Sequence, residues 1–161
     1  SKGQCKAKSS AGRIRQNPCR YGHGRGTVVA VCRDDQENYL GSSALVVEGM
    51  QDAAILECLA CREALALAED LSVHNLIVAS DARQVVKDIS NNSMGPYGMV
   101  ISEIKSRILS FNCQLVFEGC RSNGDAHSLA KFSLSLARGR HLWLINPHNP
   151  LCIPQTVDFD E

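Results

Sequence analysis

No run of about 18 apolar residues occurs in the chain, so the sequence encodes no transmembrane helix. The first residues are polar and basic, without the apolar stretch of a secretory signal. An intracellular protein, nuclear or cytoplasmic, is the expectation. Acid is missing from residues 1–33, which carry Lys2, Lys6, Lys8, Arg13, Arg15, Arg20, Arg25 and Arg33. Net charge is zero, so this +8 is balanced by −8 in the remainder. A basic arm suits contact with a polyanion such as nucleic acid, and a solvated leader is the bland alternative. The CxxC of Cys58 and Cys61 has no second pair nearby and lies in a helical pattern, which argues against a finger-type zinc site. Internal repeats are also absent.

What is present suits one domain of ordinary size. The 161 residues are 44% hydrophobic, enough to fill a core. Eight cysteines (Cys5, Cys19, Cys32, Cys58, Cys61, Cys113, Cys120 and Cys152) lie mostly in apolar runs, where Cys acts as a small hydrophobe. Reduced thiols are expected for them.

Residues 1–26, rich in Gly, Ser, Lys and Arg around Pro18, read as a basic, poorly ordered leader. TVVAVCR (27–33) and YLGSSALVV (39–47), joined by DDQEN, predict an antiparallel hairpin. Asp52 is a plausible N-cap for a helix reaching Leu71, with Ile55, Leu56, Leu59, Leu67 and Leu71 at helical spacing. NLIVAS (75–80) is apolar without alternation, the mark of a strand buried on both faces. Helices are predicted over 82–89, 99–111 and 126–137, with a strand over 113–119. Residues 138–161, with Pro147, Pro150 and Pro154, read as an extended tail. The order implies an α/β domain over 27–137, a mixed sheet covered by helices.

Asp81 ends the buried strand, where open α/β sheets place their ligands. Glu57 lies on the preceding helix, on the side of Ala60 and Ala64 that can approach a sheet. Two acids meeting in a cleft repel unless a cation sits between them, and Mg²⁺ or Mn²⁺ suits oxygen ligands. The bland alternatives stay open here: Glu57 as an exposed helix acid paired with Arg62 or a Lys, and Asp81 as an N-cap.

Three blocks extend this. LECLACREALALAEDL, LIVASDARQVVKDI and ISEIKSRILSFNCQLVFEGCRSNGDAHSLAKF, in that order and spacing, resemble the plant ribonuclease H-like domain family. That family is related to the reverse-transcriptase-associated ribonuclease H of retroelements. The resemblance implies a mixed five-stranded sheet, antiparallel hairpin first, with helices on both faces. It also implies hydrolysis of RNA in RNA–DNA hybrids by two metal ions, Mg²⁺ or Mn²⁺, held by acids. Hybrids would be gripped by shape, phosphates and 2′-hydroxyls.

Residue by residue, Glu57 matches the family's helix glutamate and Asp81 its strand-end aspartate. The first aspartate should precede TVVAVCR, yet GRIRQNPCRYGHGRG (12–26) holds no acid, and Gln16 or Asn17 lies nearest its place. The fourth acid falls in a pattern like N-x-x-A-D-x-L-A. NGDAHSLAK puts His127 there, with Asp125 two residues earlier. The loop before it, FEGCRSN, has no histidine. The candidate site is therefore Glu57, Asp81, Asp125 and His127, with Glu57 and Asp81 as the metal ligands. Arg20, Arg25, Arg83 and Asn123 are the nucleic-acid-binding candidates. Two ligands in place of four imply weak metal affinity and a weakened or lost activity. A non-cutting nucleic-acid-binding domain and a protein-interaction module are the competing readings.

Overall fold

The chain is described by a computed structural model over residues 5–13, 24–49, 52–91, 97–118 and 124–155, the first segment by its backbone alone. Strand β1 is Cys5–Arg13, β2 Arg25–Arg33 and β3 Tyr39–Glu48. Helix α1 spans Ala53–Asp70, strand β4 Asn75–Ser80, helix α2 Arg83–Ser90 and helix α3 Gly98–Ile108. Strand β5 is Asn112–Phe117, helix α4 Gly124–Ser133 and strand β6 Gly139–Leu144. They form one six-stranded sheet in the order β5-β4-β1-β2-β3-β6. β1 runs parallel to β4, and β4 to β5; β2, β3 and β6 complete it with antiparallel pairings.

The hairpin, the buried strand and all four predicted helices are present, with helices on both faces. Three expectations need correction. The stretch read as a poorly ordered leader contains β1, which sits mid-sheet between β2 and β4, so the hairpin comes second. CKAKSSAGR has no β-branched or aromatic residue and alternates only over Cys5–Lys8, so propensity hides it. Two flanking strands supply its hydrogen bonds on both sides and override that preference. The stretch read as an extended tail contains β6, which makes the sheet six-stranded, and then folds back. Ile153 is fully buried against Val29, Val31 and Leu129, and the Gln155 carbonyl accepts from the Tyr39 amide at 2.7 Å. Prolines soon after a short strand mimic a linker in sequence. Finally, Cys32 is disulfide-bonded, although Cys58, Cys61, Cys113 and Cys152 are free thiols. Spacing along the chain does not reveal which cysteines meet in space.

β2 alternates between the two faces and so builds two cores. Ala30 and Cys32 pack with Cys58, Cys61, Leu65, Val78, Val85 and Ile104 under α1, α2 and α3. Val29 and Val31 pack with Tyr39, Ala126, Leu129 and Ile153 on the α4 side. α1 starts where Asp52 accepts hydrogen bonds from the Ala54 and Ile55 amides. Its entry lies tight on β2: a Cβ added at Gly26 would meet the Leu56 side chain at 3.0 Å. α1 ends with Ser72 at φ 55°, its amide donating to Glu69 and the Val73 amide to Ala68. That is a Schellman ending with serine in the position that favours glycine. Arg140 on β6 donates to Glu63 at 2.5 Å and to Asp70 at 2.7 Å on α1, fastening the edge strand to that helix. No helix among the described residues is long and apolar enough to cross a membrane.

Candidate functional site at the C-terminal end of the parallel strands

Glu57 and Asp81 lie at one end of the sheet. Cys58, beside Glu57, and Ala82, beside Asp81, belong to the same core cluster, along with Val78. Leu56, on the other side of Glu57, packs against Val28. Both carboxylates are half-buried. Burial first, and then the neighbouring thiol of Cys61 and the charges of Asp88 and Glu57, push the Cys58 thiol up to about 12, so it stays protonated. Asp81 is not a helix cap: the α2 N-cap is Ala82, whose amide donates to Ser80 Oγ at 3.2 Å. Arg62 pairs with Glu103 at 3.3 Å.

The register of β1 shows which of its residues adjoin Asp81. Ser9 stands level with Ser80 of β4 and Ala30 of β2, so Ser9 and Ser10 are the β1 positions that adjoin Asp81 along the sheet. Gln16 and Asn17, read as nearest the place of the family's first aspartate, fall outside the described residues. Neither serine carries a charge, and no residue of CKAKSSAGR is acidic.

The far side of the site depends on α4. Two contacts set its height over β2. Asp125 Oδ2 accepts from Arg33 Nε at 2.8 Å, and the Ala130 carbonyl accepts from Thr27 Oγ1 at 3.4 Å. His127 lies between these anchors, in the span of β2 that contains Ala30, and is exposed. Asp125 is bound to the buried guanidinium of Arg33, whose Nη1 also donates to the Glu37 and Gln155 carbonyls. A carboxylate neutralised by an arginine is a poor ligand for a second cation. Among the described residues, no three or more His, Cys, Asp or Glu side chains form a group able to hold a metal ion. The donor set among the described residues therefore does not fit a two-metal centre.

Among the nucleic-acid-binding candidates, Arg20 and Asn123 lie outside the described residues. Arg25 is engaged within the fold: it donates to the Leu134 and Leu136 carbonyls at 3.0 Å and pairs with Glu48 at 3.4 Å. Arg83 is exposed at the start of α2, its guanidinium carbon 4.6 Å from the centre of the Phe117 ring. Two participants escaped the sequence reading. Arg33 had a weak signal, a cation closing an otherwise apolar strand. Phe117 had none, because strand periodicity says nothing about a strand's end.

The chain resembles the ribonuclease H1 of the halophilic archaeon Halobacterium salinarum, with a TM-score of 0.66 at 17% identity, covering 84% of this chain and 100% of that one. It resembles LC11 ribonuclease H1 from a compost metagenome, with a TM-score of 0.64 at 18% identity, covering 82% and 99%. It also resembles the prototype foamy virus protease–reverse transcriptase, with a TM-score of 0.62 at 14% identity, covering 85% of this chain and 21% of that one. No curated protein sequence matches significantly. These likenesses establish a ribonuclease H-like fold, as the sequence blocks implied. The reverse transcriptase-like family model matches residues 17–133, most of the chain, and the chain belongs to that family.

Proposed function

We propose that this domain binds nucleic acid, with RNA–DNA hybrid as its reference ligand, and has lost the hydrolytic chemistry of the ribonuclease H fold. The observation that carries this is the fate of the acids. Glu57 and Asp81 remain at the end of the parallel strands, β1 beside them has no carboxylate, and Asp125 is committed to Arg33. Two structural neighbours support the ligand class: LC11 ribonuclease H1 has been solved with an RNA/DNA hybrid and the foamy viral enzyme with double-stranded DNA. We further place the chain in the plant, retroelement-related branch of the family, on its three sequence blocks. An intracellular setting, nuclear or cytoplasmic, goes with a nucleic-acid partner.

The test is incubation of the chain with labelled RNA–DNA hybrid, with and without Mn²⁺, over a salt series. The expected result is binding that weakens steeply with salt, and no product above the metal-free control. Metal-dependent product abolished by Asp81→Asn would show that catalysis survives. Failure to bind at any salt would favour the protein-interaction reading.

A further inference from the structure

We propose that Arg83 and Phe117 form a stacking platform for an unpaired base, so that the domain engages a single-stranded end or overhang passing Asp81. This rests on the nucleic-acid reading above and specifies the form of strand taken there. Phe117 ends the edge strand β5 in register with Ser80, the residue before Asp81. Arg83 opens α2 two residues after Asp81. The two side chains thus close the same end of the sheet from a strand and a helix, one strand spacing from the surviving acid.

Their chemistry suits a base better than a phosphate alone. A guanidinium is planar, and one lying 4.6 Å over an aromatic ring extends a flat π surface. Phe117 remains 41% exposed with Arg83 in place, and Arg83 has no ion-pair partner among the described residues. Stacking tolerates any base, because every base has a π face. Lys87 is exposed four residues along the same side of α2 and offers a phosphate contact. Asp81 and Glu118 flank the platform with negative charge, which directs the strand's backbone to the Lys87 side. A base held in a continuous duplex is stacked on its neighbours, so only an unpaired one can occupy this surface.

Fluorescence polarisation of the full chain tests this with three probes: a blunt RNA–DNA hybrid, the hybrid with a short single-stranded extension, and the same extension made abasic. The extension should tighten binding about tenfold, the increment of one stacked base. The abasic extension should return affinity to the blunt value. Phe117→Ala should abolish the gain and Phe117→Trp should keep it. Arg83→Lys, which retains charge without the plane, should lose part of it. An equal gain in wild type and Phe117→Ala, or a gain that survives the abasic extension, would overturn the platform while leaving hybrid binding intact. Loss of binding to all three probes would overturn both readings.

Discussion

Arg33, the last residue of β2, donates from Nε to Asp125 Oδ2 in the first turn of α4, with Arg33 only 4% exposed. This pair joins the sheet to the helix from which the family draws its fourth acid. It also supplies Asp125 with the positive charge that a metal would otherwise provide. One guanidinium nitrogen, Nη2, is buried without a partner among the described residues, which makes the remaining contacts of Arg33 costly to lose.

Removing the acid should therefore cost stability. Asp125→Ala leaves a buried cation unpaired and is expected to destabilise by about 3 kcal/mol, measured by denaturant unfolding. His127→Ala, at an exposed position two residues along, should change stability by less than about 0.5 kcal/mol.

Metal should be irrelevant to the fold. With no three-ligand group among the described residues, excess Mn²⁺ or chelator is expected to leave the melting temperature unchanged. A rise that grows with Mn²⁺ concentration would show a real site by mass action.

The C-terminal segment should behave as core. Ile153 is fully buried against β2 and α4, and Ile153→Ala should cost about 3 kcal/mol in denaturant unfolding. Arg140→Leu breaks a clamp on a buried Glu63 and should be destabilising as well, whereas a dispensable tail would tolerate both changes.

Stability should fall in mild acid through His148. Its ring stacks on Phe132 with centroids 4.3 Å apart, and both ring nitrogens are buried without a hydrogen-bond partner among the described residues. Desolvation lowers its pKa, so the folded state holds the ring neutral while the unfolded chain takes up a proton below about 6.5. Stability is then full above that value and declines as pH falls below it. His148→Phe keeps the stack and should flatten the change in melting temperature between pH 7 and pH 5.

A single backbone position should be improvable. Ser72 holds φ 55°, a conformation that costs a residue with a Cβ. Ser72→Gly is expected to stabilise by about 0.5–1 kcal/mol, read as a higher denaturation midpoint.

The hairpin, α1 to α4, β4 and β5 were legible because each carries its own period or cap: apolar runs in β2 and β4, Asp52 before an alanine-rich helix. Glu57 and Asp81 were legible for the same reason, since each is anchored to such an element. β1 and β6 were not. CKAKSSAGR has no β-branched or aromatic residue, and GRHLWL is followed closely by three prolines; both are strands because neighbours offer hydrogen bonds. The sequence by itself determined the fold class and the family, through the order and spacing of its blocks. It also shows that residues 1–33 hold no acid. Tertiary structure alone decided that Ser9 and Ser10 adjoin Asp81, that Asp125 belongs to Arg33, and that Arg83 lies over Phe117. Each is a contact between residues distant in the chain, set by strand register and helix packing.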